Sequence, residues 1–269
     1  MSRIDLDLEP EQYHAYPAIS SGAIRTFALQ GPWMYCARHI THEIESEDSN
    51  AKQLGRAFHA ACTDPSYFDK HWGVIPSHMP NGDKINRTYK EHKTYIDPIR
   101  AEAKEKYKEI VTEKELEEIR QMVNSVMDNP AASRYLTKDA GVEKAVINND
   151  EETGLKVKAL VDLDLGTTIV DLKTTRRSTV GWFIADAINF GYDYQAAHYL
   201  DVTGANEFII LGVRNKPPYE AMAYKVPDED IRVARDKNHE TLRKIKECYE
   251  LGSWHSIGWG ELNLLRRDK

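Results

Sequence analysis

The sequence predicts an α/β fold whose core is a helix, three antiparallel strands, a second helix and an added strand, behind a helical N-terminal elaboration. Three observations predict it. Strand-like runs cluster between residues 142 and 172, a helical stretch separates them from two further runs, and the first half carries helix caps and helical spacing instead. No internal repeat is visible. The 269 residues are read as a single domain: a mainly helical part over 1–137, an α/β core over 138–226, and a C-terminal helix and tail over 227–269.

In chain order, residues 13–19 read as an extended entry, and Ser20-Ser21 as the N-cap of a helix through Leu29. Gly31-Pro32 breaks that helix, and a short one follows over 33–40. Residues 41–50 are polar and read as a loop. A helix from about Lys52 spaces Leu54, Phe58 and Ala61 on one side and ends before Asp64-Pro65. Residues 66–98 hold Pro76, Pro80, Asn81-Gly82 and Pro98 without clean periodicity, and read as an irregular insertion. Thr112-x-x-Glu115 is a capping box that opens a charged helix to Asp128, which Asn129-Pro130 ends before a short helix to about Leu136.

The core then reads as strands over 142–148, 155–163 and 168–172, a helix over 180–201, and strands over 207–213 and 220–226. The link Asp164-Leu165-Gly166-Thr167 is short and carries turn chemistry, so the strands it joins should pair as a hairpin. A last long helix starts at Pro227 and ends near Gly252.

Strand side chains alternate between faces, which groups the polar residues of this region. Ile169, Asp171 and Lys173 share one face and Val170 and Leu172 the other. In the preceding strand Leu155, Val157, Ala159 and Val161 are the apolar set, with Lys156, Lys158, Leu160 and Asp162 opposite. Two carboxylates and an ammonium on adjacent strands suit a divalent-metal hydrolase acting on phosphodiesters. Mg²⁺ prefers carboxylate, carbonyl and water oxygens, so Asp162, Asp171 and the Leu172 carbonyl are candidate ligands. Lys173 would orient water or steady charge in the transition state. The triplets Glu91-His92-Lys93 and Glu102-Ala103-Lys104 lack the strand context and read as solvated surface. Strand-end carboxylates in turns are the plain alternative for Asp162 and Asp171.

Gln195 and Tyr199 are four residues apart and lie on one helix face, with Tyr192 a turn earlier. A buried glutamine needs a partner for its amide. Thr174 and Thr175 offer hydroxyls to phosphate, and Arg176, Arg177, Lys156 and Lys158 place positive charge in or beside the site. The net charge of −7 is therefore read as a locally positive groove on an acidic protein. No apolar run approaches the ~20 residues that span a bilayer, and no signal peptide opens the chain. Cys36, Cys62 and Cys248 are odd in number and widely separated, which suits a reducing cytosol rather than a disulfide framework. No CxxC is present, which argues against zinc ribbons and iron–sulfur clusters. His59, on spacing alone, is a core or surface histidine. Glu143, on position alone, is a strand-edge carboxylate.

Four stretches together resemble the RecE-type exonuclease family (exodeoxyribonuclease VIII and phage relatives), in the RecB-like branch of the PD-(D/E)xK nuclease superfamily. They are Tyr13-His-Ala-Tyr-Pro-Ala-Ile-Ser-Ser, Leu54-Gly-Arg-Ala-Phe-His59, Val157-Lys-Ala-Leu-Val-Asp162, and Ile169-Val-Asp-Leu-Lys-Thr-Thr175 with Gln195-x-x-x-Tyr199 after it. Val161 stands where a proline often precedes the first aspartate. The resemblance implies that His59 joins the metal site, and that Glu143 lies beside it and orients a ligand or water. Gln195 and Tyr199 would look toward the site. It implies a Mg²⁺-dependent deoxyribonuclease, with Mn²⁺ as an expected substitute because imidazole is a softer donor. It further implies processive 5′ to 3′ digestion of double-stranded DNA ends, a ring-shaped oligomer (commonly a tetramer) and a RecT-like annealing protein as partner, in a bacterial or phage-infected cytosol. A structure-specific endonuclease on the same core, and a catalytically silent DNA-binding or assembly protein, are the alternatives.

Overall fold

Alternating β-branched residues and a short turn at Gly166 build the centre of the sheet, and the helices pack on its two faces. The computed structural model describes residues 3–45, 49–177 and 179–255. In order it contains β1 (Ile4–Leu6), α1 (Pro10–Ala15), β2 (Ile19–Ser20), α2 (Ser21–His39), α3 (Asn50–Thr63), α4 (Pro65–His71), β3 (Trp72–Ile75), α5 (Lys90–Lys106) and β4 (Glu109–Thr112). There follow α6 (Glu113–Asp128), α7 (Pro130–Ser133), β5 (Gly141–Asn149), β6 (Lys156–Asp164), β7 (Thr168–Thr175) and α8 (Val180–Asn189). The chain continues through α9 (Tyr192–Thr203), β8 (Glu207–Arg214), β9 (Ala221–Lys225) and α10 (Asp228–Leu251).

The main sheet runs β1-β5-β6-β7-β8-β9, with β2 beside β6. Neighbours are antiparallel except β2 with β6 and β7 with β8. The parallel β7–β8 pair is joined by the α8–α9 crossover, as parallel neighbours require. This is the α/β core that the periodicity predicts. One face of the sheet (Val146, Val157, Ala159, Val161, Ile169, Phe208, Ile210) packs on α2, α9 and α10 through Ile24, Phe27, Leu200 and Ile245. The other (Leu163, Val170, Leu172, Ile209, Leu211, Val213) packs on α3 and α6 through Phe58, Ile119, Met122 and Val126.

Local chemistry explains the helix ends. Ser20 caps α2 by accepting from the Ala23 N–H at 3.3 Å, and Gly31 (φ 84°) kinks that helix where Gly31-Pro32 predicts a break. The Thr112/Glu115 capping box opens α6 with both reciprocal bonds. In the β6–β7 turn, Gly166 takes φ 83° and donates its N–H to Asp164 Oδ1 at 2.8 Å.

Three expectations are corrected. Residues 66–98 are not irregular: α4, β3 and most of α5 lie there, and β3 pairs in parallel with β4 as a separate two-stranded sheet. Pro98, counted with that insertion, sits inside α5. The helix expected over 180–201 is two helices, because Gly191 adopts a left-handed φ of 65° between α8 and α9. Residues 13–15 are the last turn of α1 and not extended chain. Trp254 stacks on Tyr35 with ring centroids 5.3 Å apart. Trp259, Leu262, Leu264, Leu265, Arg266, Arg267 and Lys269 lie outside the described residues.

Candidate active site

The site forms where two paired strands part. The β6–β7 ladder holds Leu163 against Val170 and Asp164 against Ile169. Beyond those pairs, the Asp162 Oδ2 accepts the backbone N–H of Leu172 at 2.7 Å, so a carboxylate replaces the next strand partner. On the other side of β6, Glu143 holds φ at 46°, a costly conformation for a glutamate, between the Val142–Leu163 and Lys144–Val161 pairs. Side-chain alternation slips here as well. Val161 belongs to one core and Leu163 to the other, with Asp162 at the change-over.

β7 alternates as its sequence predicts: Ile169 joins one core while Val170 and Leu172 join the other. Asp171 is buried, and its Oδ2 lies 2.5 Å from the Lys173 Nζ. That ion pair is the one close polar contact of Oδ2 among the described residues. Gln195 on α9 donates from Nε2 to Asp171 Oδ1 at 2.8 Å. Lys173 also lies 5.2 Å from the ring centroid of Tyr192. On α3, His59 Nδ1 stands 3.5 Å from Asp162 Oδ2. The structure thus brings His59, Asp162, Asp171, Lys173 and Gln195 together.

Electrostatics ties the group into one unit. Burial pushes the Asp162 carboxyl upward, but His59, Lys173 and the Leu172 N–H outweigh it and hold the group below the usual carboxylate range. At Asp171 burial wins, helped by the charge of Asp162, and the carboxyl rises despite Lys173. Burial pulls His59 and Lys173 down, yet the carboxylates, Asp162 foremost for His59 and Asp171 for Lys173, raise both. Glu143 is raised by burial and then by Asp162.

The donor set fits a hard divalent cation. Two carboxylates converge beside an imidazole, all oxygen and nitrogen donors of the kind such a cation takes. Among the described residues no three His, Cys, Asp or Glu side chains stand as a ready ion cage. In this arrangement the acids are closed onto His59 and Lys173, which neutralise them internally.

The remaining expected residues divide. Tyr199 is 8% exposed beneath the site and bonds with Gln195, so it supports the glutamine more than it presents a surface. Thr174 is half-buried, and Thr175 is buried with its Oγ1 accepting the Arg177 N–H at 3.0 Å. Arg177 forms a two-pronged pair with Asp186 at 2.7 and 2.9 Å. Arg176 and Lys156 are exposed. Lys158 is a correction. It is 6% exposed and donates to the carbonyls of Tyr13 (2.7 Å), His14 (3.1 Å) and Tyr16 (2.8 Å). Burial lowers its pKa to about 8, so it remains an ammonium at neutral pH and cannot also serve phosphate. Its charge instead caps the C-terminal end of α1.

A cleft of about 830 Å³ opens above the acids, walled by Tyr13, His14, Tyr16, Ser20, His39, Lys156 and Gln195 among others. The wall from α1 to the start of α2 lines this cleft, a placement that strand and helix periodicity did not reveal. The signal lay in the aromatic and histidine content of residues 13–16. Among the described residues no helix is long and apolar enough to cross a membrane.

Comparison with curated proteins found no match. Among solved structures, the chain resembles a putative exonuclease from Eubacterium rectale at 15% identity, with a TM-score of 0.61 over 98% of this chain and 97% of that one. The alkaline exonuclease LHK-Exo of Laribacter hongkongensis, in complex with dAMP, is 10% identical with a TM-score of 0.40 over 91% of this chain and 97% of that one. The first likeness bears on the fold, and it agrees with the core derived above. A family described as a PDDEXK-like domain of unknown function (DUF3799) matches residues 29–266. That span takes in α3, the split between β6 and β7, and α9, and the chain belongs to this PD-(D/E)xK-like family.

Proposed function

We propose that the protein is a Mg²⁺-dependent deoxyribonuclease, with Mn²⁺ as substitute, acting processively on double-stranded DNA ends. The observation that carries this reading is the convergence of Asp162, Asp171, Lys173 and His59 at the split between β6 and β7, on the floor of a cleft. Asp162, Asp171, the Leu172 carbonyl and His59 would hold the cation. When bound, it supplies charge neutralisation at the phosphate and acidifies a water.

The chain's own residues do the rest. Lys173, beside Asp171 on the same strand face, offers its ammonium to the charge that develops on the phosphate oxygens. Gln195 holds Asp171 in one orientation through its Oδ1, and Tyr199 holds Gln195. Glu143, whose pKa burial and the charge of Asp162 raise, stands beside Asp162 and would orient a ligand or water. Lys156, Arg176 and the Thr174 hydroxyl supply phosphate contacts at the rim. A 5′ to 3′ polarity, a ring-shaped homo-oligomer, a RecT-like annealing partner and a cytosolic setting belong to this reading through the resemblance to RecE-type enzymes. Digestion of end-labelled linear duplex and of closed circular duplex, across a metal titration, tests it. Loss of label from linear DNA alone is expected, and cutting of the closed circle would replace it with an endonuclease.

A further inference from the structure

The acids face the large cleft, but the path does not end at Lys173. Tyr192, whose ring lies beneath the Lys173 ammonium, also lines a second cavity of about 390 Å³ beside the C-terminal end of β7. Thr174, Arg176, Phe190 and Asn215 share that lining. A further cavity of about 270 Å³ meets it at Ala51, Arg176 and Asn215. The two prolong the active site away from the large cleft as one groove.

Its chemistry is specific in three ways. Arg176 is exposed and, among the described residues, has no ion-pair partner, while the acid in the nearer wall, Asp186, is already neutralised by Arg177. In the farther wall Glu118 is held by Lys216 at 3.2 Å and Lys114 at 3.4 Å, and Glu115 is turned into its capping box, accepting from the Thr112 N–H at 2.8 Å and hydroxyl at 2.9 Å. Phe190 is 50% exposed, and its ring stands 6.1 Å from that of Tyr192 with the planes 31° apart. Asn215, at the junction of the cavities, is 5% exposed, and its side-chain Oδ1 is buried without a hydrogen-bond partner among the described residues. A buried amide oxygen without a donor carries an energetic cost that a ligand or water can relieve.

We propose that this groove binds a single strand of DNA beyond the catalytic lysine: Phe190 and Tyr192 stack a base, Arg176 meets a phosphate, and the buried Asn215 Oδ1 accepts from an ordered water. The occupant is single-stranded because a base can stack on a side chain only after leaving its neighbours in the duplex. The mixture of aromatic rings and unpaired positive charge is the pattern of single-strand grooves and not of an apolar protein interface. The inference rests on the nuclease reading of the adjoining site, and names the strand and the subsite.

The test measures binding of the full chain to a fluorescent oligothymidylate, and to an abasic strand of the same length, in EDTA at fixed salt. Wild type should prefer the thymidylate. Phe190→Ala, at an exposed position that leaves the fold intact, should weaken thymidylate binding about tenfold and abolish the preference. Arg176→Ala should weaken both strands alike and flatten the salt dependence. Equal affinity of wild type for the two strands would overturn the proposal, as would an unchanged preference in Phe190→Ala. Because no metal is present, cleavage plays no part. A failed groove leaves duplex digestion standing, and a failed digestion leaves the strand preference standing.

Discussion

Gln195 donates a hydrogen bond to one oxygen of Asp171, while the Lys173 ammonium stands 2.5 Å from the other. The carboxylate is therefore oriented on one side and held by an opposite charge on the other. Asp171→Asn and Asp162→Asn should keep the fold and lose cleavage, since a neutral amide is a weak ligand for Mg²⁺. Circular dichroism melting and digestion of labelled duplex at saturating metal check this. Near-normal digestion by either variant would remove that residue from the site.

Lys173 and Gln195 should separate in kinetics. Lys173→Ala should slow single-turnover cleavage by ~10²–10³, the usual effect of losing one electrostatic stabiliser, with DNA affinity changed far less. Gln195→Ala should be milder, because it frees Asp171 to rotate but removes no charge. Both rate and duplex affinity must be read at one salt concentration. A Lys173→Ala variant with lost affinity and normal rate at saturating DNA would make Lys173 a phosphate-binding residue.

Metal binding should be visible without DNA. At a hundredfold excess over its Kd, a cation that binds only the folded state adds ~2.7 kcal/mol, or a melting-temperature rise of about 5–10 °C. Mg²⁺ or Mn²⁺ should produce such a rise in the wild type, EDTA should reverse it, and Asp171→Asn should lack it. His59→Ala should shift the titration to higher metal concentration while melting near the wild-type apo value. A variant that unfolds but keeps normal activity per folded molecule would mark His59 as a packing residue.

Lys158→Met tests the reassignment of that lysine. Leaving three carbonyls without their donor should cost roughly 1–3 kcal/mol of stability, read by urea unfolding. The salt dependence of duplex binding should not change. A flattened salt dependence with unaltered stability would return Lys158 to the DNA-contacting set.

Legibility followed sequence distance. Thr112 and Glu115 are three residues apart, so their reciprocal cap can be read directly. The faces of β7 follow from strand alternation alone, which is why Asp171 and Lys173 were placed together. Lys158 sat correctly opposite Val157 and Ala159, but nothing near it in sequence announces that α1 ends over it, some 142 to 145 residues away. The two strands β3 and β4 are four residues each and pair only with one another across α5, so neither has a local signature beyond its few apolar residues. Pro98 read as part of irregular chain because proline removes one helical hydrogen bond, yet α5 continues through it with Ile96 packed on Ile75 and Ile110. The opening between β6 and β7 is an interruption of pairing, and periodicity describes only pairing that continues.

That opening divides responsibility for the chemistry. Asp162 travels with β5 and β6, whose ladder runs from Gly141 to Asn149, whereas Asp171 travels with β8 and β9 through eight parallel pairs. The two halves are joined by only two register pairs. The two acids thus stand on opposite sides of a seam, each carried by its own ladder, and the Asp162–Leu172 hydrogen bond is the contact that ties one side to the other next to them.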